Sequence, residues 1–284
     1  MQTTTRTLLA EGLGTFILVL FGCGAVHASV LMGANQGLFQ VAIIWGSGVA
    51  FAAYCVGGIS GAHINPAMTI ALATWRRFPW ANVGPYIGVQ LAGAFLAAAT
   101  LYAIYSPSID KKHEAMGVKK GDPGSIVTAS CYGEFYPAPG AALNAEGRWT
   151  DDGWRTLQAR VPFAQAFIAE LVCTAVLAIV LFAVTDPRNT GAPAAYLAPL
   201  VMGLCVAALI SIIAPLTQCC LNPARDWGPR LFTFVAGWGS QAIPGPNGQG
   251  VVTVYIVAPI LGAVLGGGLY DKVIAPADDR RESE

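Results

Sequence analysis

Apolar residues run through this chain in long stretches rather than at the spacing of a one-sided helix or strand. Six stretches stand out, at 8–32, 38–59, 84–105, 162–184, 194–216 and 251–270. Each is close to the ~20 residues that a helix needs to cross the hydrocarbon core of a bilayer. Two shorter semi-apolar stretches, 65–75 and 222–235, would give helices of roughly 16 to 21 Å at ~1.5 Å per residue, about half a bilayer core. The pattern predicts an all-α membrane protein with six spans and two half-helices. The first stretch contains Glu11 and is too long for a signal-peptide core, so it reads as a retained helix.

Composition agrees. The 284 residues include 16 Lys+Arg and 16 Asp+Glu, with no net charge, and 55% are hydrophobic. A soluble domain carries about 25% charged residues, and a disordered chain needs low hydrophobicity with high net charge. No basic run exceeds two residues, so nucleic acid is not an expected partner. The expected surroundings are a lipid bilayer.

Charge position orients the chain. Arg6, the pair Arg76 and Arg77, Arg188, and the group Lys272, Arg280 and Arg281 fall in alternate connections. By the positive-inside rule that side is cytoplasmic, and both termini with it, in the plasma (inner) membrane. Between residues 110 and 160 lie seven basic and seven acidic residues, but long loops translocate regardless of charge. The chain then divides into a first repeat at about 6–105, an extracellular loop at 106–161, a second repeat at about 162–273 and a cytoplasmic tail at 274–284, together one transmembrane domain. Cysteine adds little: the seven (23, 55, 131, 173, 205, 219 and 220) form no CxxC, and all but Cys131 lie in or beside apolar stretches. They read as small hydrophobes.

The two halves repeat. Glu11 and Glu170 are each followed four residues later by Thr, and Asn-Pro-Ala occurs at 65–67 and again at 222–224. Tyr86 opens YIGVQLAGA and Tyr255 opens YIVAPILGA. Each half has three spans, so the second enters the membrane inverted, and sites in such repeats form at the midplane where broken helices meet. Asn is a good N-cap and Pro suits the first helical position. Plain capping does not explain why the pair occurs twice at membrane depth.

Two half-helices meeting by their N-termini face their positive dipole ends at one another, a poor place for a cation or proton. Residues 57–64 and 218–221 before them read as irregular backbone, tolerated at this depth only where buried or lining a cavity. The carbonyls of Gly61, Ala62, His63, Ile64, Cys220 and Leu221 would supply acceptors, and Asn65, Asn222 and Arg225 donors. That lining suits a small neutral solute. Asp226 is expected to accept hydrogen bonds from loop backbone, and Glu11 and Glu170 to anchor the two irregular segments through their N–H groups.

SGAHINPAMTIAL (60–72) and LNPARDWGPRLF (221–232) resemble the two signature loops of the aquaporin/glycerol-facilitator (major intrinsic protein) family, and the likeness covers residues 6–273. The resemblance implies six tilted helices and two re-entrant half-helices around one pore per subunit, usually in a homotetramer. It favours the aquaglyceroporin branch. Asp226 and Arg230 match that branch's acidic and basic pair, Pro259 and Ile260 its Pro-aliphatic pair, Tyr102 or Tyr105 its aromatic near the end of the third span, and Trp45 its constriction tryptophan. The filter carried over is Trp45, Ile210, Cys219 and Arg225. It departs at Ile210, where bacterial glycerol facilitators have Gly and water channels His, and at Cys219, where the facilitators have Phe.

The expected function is a passive channel for glycerol and related polyols or urea, with some water and without ions or protons. A water-selective or metalloid-conducting channel of the same family is the alternative. An ion-coupled transporter would need a coupling-ion site that this lining does not offer. His27, His63 and His113 are scattered, and GISGA at 58–62 is out of register for a hydrolase elbow. No cofactor, metal or enzymatic activity is expected. Family members with Cys at position 219 are the mercury-blocked ones, so this thiol is expected to face the pore.

Overall fold

A computed structural model describes residues 4–35, 37–76 and 78–276. Arg77, Arg280 and Arg281, used above to orient the chain, lie outside the described residues, as does the tail beyond Pro276. Among the described residues six helices are long and apolar enough to cross a membrane: α1 (Thr5–Met32), α2 (Leu38–Ser60), α4 (Trp80–Met116), α7 (Phe163–Val184), a fifth whose regular part is α8 (Ala198–Thr217), and α10 (Gly250–Ile274). Between them lie the half-helices α3 (Pro66–Trp75) and α9 (Pro223–Thr233). A single turn, α5 (Ile126–Ala129), and the short α6 (Asp151–Gln158) belong to the long connection.

The spans are apolar almost all round because both of their environments are apolar. Outward positions such as Leu9, Leu96, Ile104, Ile168, Leu204 and Leu265 are exposed and suit hydrocarbon. The polar residues lie inside instead: Glu11, Thr15, Gln90, Glu170 and Thr174 are wholly buried. In the first half α1 packs against α2 and α4; in the second, α7 packs against α8 and α10. The half-helices cross over, α3 lying on α10 of the second half and α9 on α4 of the first. Each half-helix thereby ties the two halves together.

The two halves touch most closely between α2 and α8, at Gly46 and Gly203. Each lies nineteen residues before the Asn of its own half. A Cβ on Gly46 would stand 2.3 Å from the Gly203 carbonyl oxygen, and one on Gly203 2.4 Å from that of Gly46. Only glycine permits this backbone-to-backbone crossing, the small-residue packing common between helices in membranes.

The sequence put the end of the third span near residue 105, yet α4 continues to Met116. The start of the stretch read as loop, 106–116, is helical. Pro107 removes a single backbone bond, and Lys111, Lys112, Glu114, Ala115 and Met116 are good helix formers. Gly117, with φ 70°, ends the helix. Its projecting end is held by His113, whose Nε2 lies 2.6 Å from Thr128 Oγ1. The loop beyond is packed: Ile126, Tyr132 and Phe135 are buried, and buried Trp238 donates to Ser125 O (3.1 Å) and Thr128 Oγ1 (3.0 Å). Cys131, the one thiol the sequence set apart from apolar surroundings, is buried here too, whereas Cys55 is exposed.

At the opposite face Arg76 ends α3 between Asp186 (3.4 Å) and Asp271 (3.0 Å). Hydrogen bonds from the Arg188 side chain hold the Asp186 carboxyl down to about 2, so it stays ionised over the physiological range. This cluster ties the first half-helix to the connection after α7 and to the last turns of α10.

Candidate functional site

The site is assembled from two irregular segments that mirror each other. Gly61, Ala62 and Ile64 have φ of 86°, 48° and 43°, and their counterparts Gln218, Cys219 and Leu221 have φ of 63°, 67° and 55°. For a residue with a Cβ the left-handed region costs about 1–2 kcal/mol, so five such positions need compensation. Glu170 supplies it in the second half. Its Oε1 accepts from Thr217 Oγ1 (2.6 Å) and Cys220 N (2.9 Å), and its Oε2 from Leu221 N (2.9 Å). In the first half Glu11 accepts from Ile64 N and from Gln90 Nε2 (2.8 Å). Two repeat-matched tyrosines tie each segment to its last span: Tyr86 donates to Ser60 O (2.8 Å) and Tyr255 to Thr217 O (3.1 Å). Pro259 has no N–H to offer the Tyr255 carbonyl one turn earlier, and the Cys220 thiol donates there instead (3.7 Å). Ile260 packs, partly buried, against the core.

The segments end in the two asparagines. Asn65 Oδ1 accepts from Ala67 N (2.8 Å), and Asn222 Oδ1 from Ala224 N (3.0 Å) and Arg225 N (3.3 Å). Pro66 and Pro223 open the two half-helices. One amide proton of each Asn crosses to the other segment, from Asn65 Nδ2 to Leu221 O (2.9 Å) and from Asn222 Nδ2 to Ile64 O (2.8 Å). An amide carries two N–H donors, so one on each Asn is left for the cavity.

A cavity of about 430 Å³ runs past both asparagines. Trp45, Ile210, Cys219 and Arg225 all line it. Residues 61–64 and 220–221 line it as well, and so do Tyr54 and Tyr196, of which Tyr196 is exposed. Every sequence-selected filter and carbonyl position therefore borders one space. The remaining markers lie beside it: Tyr102 packs on Phe232 and Trp238, and Tyr105 on His27.

Sequence reasoning passed over Glu134. Its carboxylate pairs with Arg225, whose guanidinium also lies 4.0 Å from the centre of the Trp45 ring. The backbone around Glu134 is fixed by the pair at 226 and 230. Asp226 Oδ1 accepts from Glu134 N (2.6 Å), Arg230 Nε donates to Asp226 Oδ2 (2.9 Å), and Arg230 also donates to the Glu134 carbonyl and to Ala242 O (2.9 Å). A buried charge is costly unless paired and hydrogen-bonded; Asp226 and Arg230 meet both conditions, whereas Glu134 and Arg225 are paired while Glu134 Oε2 has no hydrogen-bond partner. Burial pushes the Glu134 carboxyl up to about 8, against the lowering pull of Arg225.

A bilayer-spanning bundle with a mostly apolar cavity, two facing helix N-termini and an arginine at one end defines a channel rather than an enzyme. The sequence profile of the family Major intrinsic protein matches residues 1–270, and the chain belongs to that family. A glycerol uptake facilitator protein of Pseudomonas aeruginosa is 42% identical over 267 residues, covering 94% of this chain and 88% of the relative. The propanediol uptake facilitator PduF of Salmonella typhimurium is 40% identical, covering 92% of this chain and 90% of the relative. The X-ray structure of the aquaglyceroporin from Plasmodium falciparum superposes with a TM-score of 0.76 at 26% identity, covering 95% of this chain and 96% of that one.

The Glu134–Arg225 contact beside the cavity predicts a pH dependence of flux. Above about pH 8 the carboxylate is ionised and holds the Arg225 guanidinium; below it the protonated carboxyl releases a donor to a passing solute. Solute flux should fall as pH rises through 8, by roughly two- to tenfold, the worth of one net hydrogen bond. Glu134→Gln should be flat across pH 6.5–9.5 at the low-pH rate. Light-scattering flux assays in proteoliposomes measure both, and an unchanged pH profile in the variant would refute the assignment.

Proposed function

We propose that the protein is a passive channel carrying small neutral solutes, glycerol and short polyols foremost, with urea and some water, across the plasma (inner) membrane. The observation that carries this reading is the two-sided lining of the cavity. Trp45, Ile210 and Cys219 offer carbon and sulfur, while Arg225 and the free amide protons of Asn65 and Asn222 offer donors. A short polyol has the same two sides, hydroxyls along one edge and a carbon backbone along the other. Relatives named as glycerol and propanediol facilitators support the same solute class.

In this reading Trp45, Ile210, Cys219 and Arg225 form the selectivity filter. Glu11 and Glu170 anchor the two pore loops, and Asp226 with Arg230 seats the outer loop on the filter. The carbonyls of 61–64 and 220–221 replace the hydration of a dehydrated solute. The facing positive ends of α3 and α9, with Arg225, oppose cations and protons. The protein works as a homotetramer with both termini in the cytoplasm, since Arg6, Arg76, Arg188 and Lys272 fall on one face.

Stopped-flow shrinkage of proteoliposomes in glycerol, propane-1,2-diol, urea and arabitol tests the solute class. Glycerol and propane-1,2-diol should enter well above the rate in protein-free liposomes, and water flux without any glycerol flux would overturn the reading. Mercurials should inhibit by modifying Cys219 at the filter, and Cys219→Ser should abolish the block; inhibition that persists in that variant would remove Cys219 from the pore wall.

A further inference from the structure

Trp45 is held between the channel and a helix that has no side chain behind it. Gly22 of α1 faces the indole, and a Cβ built there would stand 2.0 Å from Trp45 Cε3, 2.1 Å from Cζ3 and 2.2 Å from Cδ2. Carbon atoms in contact sit about 3.5–4.0 Å apart, so any side chain at 22 requires the ring to move by roughly 1.5 Å. The Arg225 guanidinium lies 4.0 Å from the ring centre, and both residues border the cavity. The cavity that Trp45 borders offers free volume for that shift. The repeat offers an internal comparison. Gly22 is eleven residues after Glu11, and the residue eleven after Glu170 is Leu181, which reaches the cavity with its own side chain. In the first half that space belongs to the indole.

We propose that Gly22 is a specificity-determining positioning residue: its missing side chain lets Trp45 lie back against α1 and so sets the filter wide enough for a polyol. This rests on the polyol-channel reading above, which the wild-type flux tests separately. The residue touches no solute and acts only through the ring.

The test is a set of four proteoliposome preparations measured by stopped flow for water and for glycerol. Gly22→Ala should cut glycerol permeability by roughly tenfold or more, the discrimination that one added carbon gives in a fitted apolar pocket, while water permeability stays within about twofold. Gly24→Ala, whose Cβ would meet only Leu101 Cδ2 at 3.4 Å, should match the wild type for both. Gly22→Ala combined with Trp45→Phe, which shortens the ring, should restore glycerol flux. Wild-type glycerol conduction in Gly22→Ala, equal loss of water and glycerol, or failure of the double variant to restore glycerol would each overturn the proposal. If Gly22→Ala does not fold, the double variant decides: folding with glycerol flux supports an action through Trp45, and failure of both makes Gly22 a packing residue only.

Discussion

Two asparagine side chains that bond across the centre of the molecule are the constraint on which the rest depends. Each uses its oxygen to cap its own half-helix and one amide proton to hold the other half's loop. The exchange fixes the starts of α3 and α9 opposite each other, so both positive helix ends point at the same short stretch of cavity. It also forces the preceding segments into left-handed backbone that residues with a Cβ avoid. The buried carboxylates of Glu11 and Glu170 then become necessary, because a carboxylate can accept several backbone N–H groups where water is absent. The cross-bonds, the strained segments and the buried acids form one interdependent unit.

The surroundings of Arg225 follow a different logic, because the repeat is not symmetric there. Arg225 has no counterpart in the first half, where Met68 stands three residues after Asn65. A single buried cation needs a partner, and the chain provides it from the long connection rather than from the bundle. The Asp226–Arg230 pair fixes the Glu134 backbone, and Glu134 meets Arg225. The long loop thus reaches Arg225 at the cavity, and its packing under Trp238 and against the projecting end of α4 keeps Glu134 in place.

Much of this was legible in the sequence, for physical reasons. Hydrocarbon thickness fixes span length, so six spans and two half-length helices could be counted directly. Caps at membrane depth need Asn and Pro in order, so the doubled Asn-Pro-Ala located the centre, and the matched Glu11 and Glu170 pointed to where those acids now lie. What was not legible was long-range pairing. The extension of α4 to Met116 was hidden because its polar residues look like loop to a hydropathy reading, although their helix propensity is good. Glu134 was hidden among the fourteen charges of the connection. A signal was available: it is the only charged residue between Asp122 and Glu146, and an isolated charge in an uncharged, aromatic-rich stretch is more often buried with a partner than solvated.

In the proposed channel the facing helix ends and Arg225 let neutral solutes pass while refusing charge, so that flux is driven by the solute gradient alone. Glycerol influx into proteoliposomes, measured with and without an imposed proton or sodium gradient, tests it most directly. The account predicts identical glycerol rates under all gradients and no collapse of the gradients themselves. A glycerol rate that follows the proton or sodium gradient, or a gradient that the protein dissipates, would contradict it.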